Sequence, residues 1–173
     1  LVAWRQRVRR SLLPVINISH FVHGTTADRK KVAAQWDAAF MGSGFCLLTG
    51  FHTLLPPTTV EQLRRAALHF FQSNKQDKMR AHVDGMVGYV ALGEENVGAT
   101  TDSTTSVPDL VESLNFPGYQ EDDAPWRSDP TAGDVPWMGS EFALALPREL
   151  IEAAAEYWRG STRLMLALME LSE

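Results

Sequence analysis

The chain has little of what marks several common protein classes. It contains one cysteine, Cys46, so it has no internal disulfide and nothing that requires an oxidising compartment. Cys46 lies in the apolar run Phe45-Cys46-Leu47-Leu48 and reads as a small buried hydrophobe rather than a nucleophile. No apolar run approaches the ~20 residues needed to span a bilayer, and no apolar stretch follows the N-terminal basic residues to make a secretory signal. Cytoplasmic is therefore the default expectation, with no membrane partner. Nor is there an excess of positive charge: 16 Lys and Arg stand against 21 Asp and Glu, a net charge of −5. This excludes the basic footprint of a nucleic-acid binder. The single basic cluster, Arg5, Arg7, Arg9 and Arg10, reads as a solvated arm, with a partner-binding arm and a targeting remnant as the alternatives. There is no Gly-x-Ser-x-Gly elbow, no Cys–His pair in a credible order, and no histidine after His82.

What is present is an ordinary globular composition, 45% hydrophobic in 173 residues, enough for a real core. Pro14 to Ile18 reads as a short strand entered through proline. Asp28 is placed as the N-cap of a helix carrying Val32, Trp36, Ala39 and Phe40, ended by Gly42-Ser43-Gly44. Phe45 to Thr49 is expected to be a buried strand. After Pro56-Pro57, Thr58 to Gln62 offers capping-box readings for a helix with Val60, Leu63, Ala67, Phe70 and Phe71 on one face. One more helical turn is expected after Ser73. Gly88 to Leu92 and Leu110 to Phe116 read as strands, and 93–108 as a long loop suited to a lid. Residues 117–141 are expected to be irregular. Pro147 starts a long amphipathic helix with Leu150, Ala154, Tyr157, Trp158, Leu164, Leu168 and Leu171.

Five segments in this order carry a resemblance. Leu13 to Ser19 is similar to an opening "proline, apolar strand, Asp/Asn-x-Ser". Gly44 to His52 is similar to a "Gly-Phe-Phe-apolar-apolar-x-Asn-His-Gly" strand, with Thr49-Gly50-Phe51 replacing the usual ending. Ala67 to Phe71 with Lys75 and Lys78 matches a helix ending in Phe-Phe before a Glu-x-Lys turn. Gly88-Tyr89 and Asp109 to Phe116 resemble a Gly-Tyr strand and an Asp-x-x-Glu-Ser-Phe segment. Together they resemble the N-terminal region of the isopenicillin N synthase-like, 2-oxoglutarate/Fe(II)-dependent dioxygenases.

The resemblance implies an α+β fold: a helix-rich N-terminal region with a few strands that would join a double-stranded β-helix (jelly-roll) core lying mostly beyond Glu173. It implies 1–12 as a basic arm, 13–118 as the dioxygenase N-terminal region, 119–145 as an irregular connection and 146–173 as a helix leading toward the catalytic core. Both ends look cut on this reading. Fe(II) and 2-oxoglutarate are implied for the parent protein and neither for this chain alone, which is expected to lack the metal triad and to be inactive. The substrate is a small organic molecule oxidised with dioxygen. Tyr89, Asn115 and Phe116 are the expected substrate-binding residues, Tyr89 standing equally as a core residue. Glu112 is expected in a buried hydrogen bond or ion pair.

Two motifs tempt. His82-Val83-Asp84 has the form of the family's iron pair, and Arg159-Gly160-Ser161 that of its oxo-acid clamp. Both are short enough to arise by chance. His82 precedes the segments that the family's iron pair follows. Arg159 and Ser161 fall in a helix, where residues two apart face different sides. His82 and Asp84 are therefore expected to be exposed turn residues, and Arg159 to lie on a solvated face. His20 and His23 read as a surface loop pair, Glu94-Glu95 and Asp122-Asp123 as solvated charges, and Met165 and Met169 as helix core. Gly85-x-x-Gly88 lacks the Lys-Ser/Thr of a phosphate loop. The alternatives are a non-catalytic binding protein derived from this fold, and an unrelated α+β interaction domain. The oligomeric state is left open.

Overall fold

The structure is a computed structural model that describes residues 13–83, 87–95, 108–116 and 135–173. The basic arm, Asp84, Gly85, Asp122-Asp123, most of the proposed lid and most of the expected irregular connection lie outside the described residues. The chain forms two compact units, one of residues 1–54 with 164–173 and one of residues 55–163. Helix and strand are mixed, in small open sheets.

In the first unit, β1 (Val15–Asn17) pairs in parallel with β2 (Leu47–Thr49), in the register Val15↔Leu47, Ile16↔Leu48, Asn17↔Thr49. Period-two alternation sorts the pair into two faces. Ile16 is 2% exposed and packs with Ile18, Phe21, Val32, Ala39 and Leu171, with Cys46 and Leu48 against them. The opposite face is bare: Leu13, Val15, Phe45 and Leu47 are 42%, 63%, 69% and 53% exposed. The sequence read Phe45 to Thr49 as buried, because an apolar run does not say which of its faces is covered.

Gly50 follows β2 with φ of 72°, and a Cβ there would lie 1.9 Å from Asn17 Oδ1. That Asn17 oxygen accepts the Ser19 N–H at 3.0 Å and turns the chain into α1 (Ser19–His23). His20 and His23, expected in a loop, sit on this helical turn, and His23 Nε2 bonds Thr53 Oγ1 at 2.9 Å. The N-cap of α2 (Thr26–Gly42) is Thr25 rather than Asp28. Asp28 occupies the third helical position of a reciprocal capping box, its carboxylate accepting from the Thr25 N–H while the Thr25 hydroxyl oxygen accepts the Asp28 N–H.

In the second unit, α3 (Pro57–Gln72) starts at its proline without a side-chain cap, so the capping boxes read into Thr58 to Gln62 are not formed. Proline at the first helical position removes a donor that would otherwise need one. Ala66 and Phe70 are buried on α3, with Leu63, Ala67 and Phe71 partly so. Val60 is 41% exposed. The short α4 (Lys75–Met79) is capped by Asn74, whose side chain accepts the Asp77 N–H. β3 (Gly88–Val90) pairs antiparallel with β4 (Ser113–Asn115). Between Pro136 and the long helix lies α5 (Glu141–Ala145), a helical turn at the end of the stretch 119–145 that the sequence reading took as irregular.

The long helix is α6 (Arg148–Leu171), its first amide bonds taken by the Pro147 carbonyl. Leu150, Ala154 and Ala155 belong to the core of the second unit, and Leu164, Leu168 and Leu171 to that of the first. Met165 and Met169, expected in the core, are 52% and 58% exposed. The second core is built on Trp137, 1% exposed, with Phe70, Ala81, Tyr89, Phe142 and Leu150 around it. No described helix is long and apolar enough to cross a membrane.

Candidate functional site

The β3–β4 pair sets Tyr89 opposite Leu114, and Gly88 opposite Asn115. Gly88 has φ of 76°, and a Cβ there would come within 2.3 Å of the Ala81 carbonyl oxygen, so only glycine fits where β3 begins. Tyr89 is 2% exposed and meets Phe70 edge to face, ring centroids 5.9 Å apart. Its hydroxyl donates to Glu112 Oε2 at 2.5 Å, and Lys78 Nζ donates to the same oxygen at 2.6 Å and to the Phe71 carbonyl at 3.2 Å. The Lys78 side chain is 11% exposed and that of Glu112 29%. One carboxylate thus ties α4 to both strands.

The electrostatics follow from these bonds. The Lys78 ammonium, and after it the Tyr89 hydroxyl, hold Glu112 below the usual carboxylate range. The bond to Glu112 raises Lys78. Burial, then the neighbouring Glu112, raises Tyr89. Glu112 therefore stays ionised and Tyr89 neutral around neutral pH.

Beside this sheet, still within the second unit, lies an apolar cavity of about 510 Å³. Leu63, Ala67 and Phe71 of α3 form one wall, and Leu114 and Phe116 another. Leu150, Ala154, Tyr157, Trp158 and Ser161 of α6 face them, and Trp137 completes the lining. Phe116 packs on Trp137 with ring centroids 4.6 Å apart. Of the expected substrate-binding residues, Phe116 lines this cavity, whereas Tyr89 and Asn115 are not among its walls. Asn115 alternates to the other side of β4 from Leu114 and Phe116, and its amide donates to Ser113 Oγ at 3.3 Å.

A family model described as the N-terminal region of the non-haem dioxygenase in morphine synthesis matches residues 13–139. The chain belongs to this family. It is thereby placed in the N-terminal domain of the non-haem 2-oxoglutarate/Fe(II) dioxygenases. No curated protein and no solved structure gives a significant match.

The family's resident metal finds no holder in the described part of this dioxygenase N-terminal domain: no three His, Cys, Asp or Glu side chains converge there. The motif-like residues are engaged elsewhere. His82, expected exposed, is half-buried; it forms a bridge with Gly88, and its Nδ1 bonds the Tyr89 carbonyl at 2.9 Å. Arg159 pairs with Glu156 at 2.6 Å, one turn back on α6, while Ser161 turns inward to the cavity wall. Glu94 and Glu95, expected as solvated charges, are structural acceptors. Glu94 takes the Ala91 N–H at 2.7 Å and Glu95 the Ser113 hydroxyl at 3.3 Å.

Sequence reading missed Trp137 and Ser161 as wall residues. Trp137 stands in a proline-rich stretch without periodicity, and Ser161 was weighed only as half of a clamp. Lys78 was noted for its motif position alone; a lysine carries no sign in sequence that it will be buried.

Proposed function

We propose that this chain is the N-terminal, substrate-side part of an Fe(II)- and 2-oxoglutarate-dependent oxygenase that oxidises a small organic molecule with dioxygen. Beyond family membership, the observation that carries this reading is the bare face of Leu13, Val15, Phe45 and Leu47. Parallel strands occur almost only in sheets covered on both faces, and a two-stranded pair does not stand alone. This face is where a catalytic jelly-roll core would cover the domain. In the assembled enzyme Fe(II) and 2-oxoglutarate, held by that core, supply the oxidising chemistry. This chain's residues shape and bind: Phe116 offers an aromatic surface to substrate, while Asn115, on the opposite side of β4, bonds Ser113, and Tyr89 fixes the strand through Glu112.

The test is to translate and express whatever coding sequence follows Glu173 together with this chain, and to assay oxygen- and iron-dependent decarboxylation of 2-oxoglutarate. Turnover supports the reading. A continuation without a His-x-Asp pair and a later histidine, and without turnover, leaves the non-catalytic binding protein.

A further inference from the structure

We draw no further inference here: the strongest candidate, the half-open apolar cavity of the second unit between α3, β4 and α6, shares Phe116 with the proposed substrate side, and nothing in the structure shows what occupies it.

Discussion

The two strand pairs among the described residues are of similar length and opposite condition. β3–β4 is closed: all three residues of β3 are buried, its partner strand is half-buried, and a carboxylate shared by Lys78 and Tyr89 anchors it to α4. β1–β2 is closed on one face, where Ile16 is 2% exposed, and open on the other, where Val15 is 63% exposed. The difference teaches where each pair is complete. The antiparallel pair finds its partners inside its own unit, among Phe70, Trp137 and Phe142. The parallel pair finds only half of what such strands need. Substitutions should therefore be costly around the first pair and on the inner face of the second, and nearly silent on the open face.

The largest effect is expected at Trp137. It is 1% exposed and contacts Phe116 across 4.6 Å, so Trp137→Ala removes the centre of the second core. The loss is expected to be about 3–5 kcal/mol, read as a lowered denaturant midpoint. A loss under about 1 kcal/mol would mean that β3–β4 is not held by that core, and the contrast between the pairs would fail.

Next comes the shared carboxylate. Glu112→Ala leaves a largely buried ammonium and a buried hydroxyl without their acceptor, and is expected to cost about 2–3 kcal/mol. Combined with Lys78→Met, the loss should fall short of the sum of the single changes, because the two groups act as a pair. The pH dependence has a definite sign. Glu112 is held below its ordinary value by Lys78 and then Tyr89, so its contribution is present above about pH 4.3 and is lost as pH falls through the lowered value. Lys78 is raised by its bond to Glu112, so that contribution is present below about pH 10.4 and is lost as pH rises through the raised value. Tyr89 is raised by burial and then by Glu112, so the unfolded chain releases the phenolic proton first and stability also falls above about pH 10. The contribution of this site should be level between these limits. Glu112→Gln should remove most of the acid limb that this site contributes; an unchanged acid limb would show that the carboxylate is not what the second unit loses in acid.

Much of the architecture was legible in the sequence because it rests on local pattern. The strand at Val15, the helix face with Phe70 and Phe71, and the long helix after Pro147 follow from period, proline and glycine alone. The five ordered motifs gave the family. Less legible were facts set by distant parts of the chain. The α2 cap is the exception, since Thr25 and Asp28 lie three residues apart and form a local pattern that the reading of Asp28 as the cap passed over. The exposure of Phe45 and Leu47 depends on what lies over β2. Trp137 and Ser161 line one cavity only because distant segments of the chain fold together around it, and neither carries a local sign of it. The capping box itself offers a modest check: Thr25→Ala removes an oxygen that accepts the Asp28 N–H and is expected to cost about 1 kcal/mol, read in thermal unfolding.

The smallest expected effect is the most telling for the open face. Val15→Ser and Leu47→Ser replace side chains already 63% and 53% exposed, so little apolar area is returned to water on unfolding. Each should change the stability of this chain by no more than about 0.5 kcal/mol. Ile16→Ala, one residue along on the buried face, should instead cost about 2–5 kcal/mol. The open-face changes should nonetheless lower self-association and hydrophobic-dye binding, since Leu13, Val15, Phe45 and Leu47 form one contiguous apolar strip. In a protein carrying the catalytic core, the same two substitutions should turn costly, because the strip would there be buried at about 25 cal/mol per Å² of apolar surface. Silence in the short chain with a loss in the long one would show that the open face of β1–β2 is covered in the longer protein. Equal silence in both would mean that the strip faces solvent throughout, and the reading of it as a docking face for a core would fall.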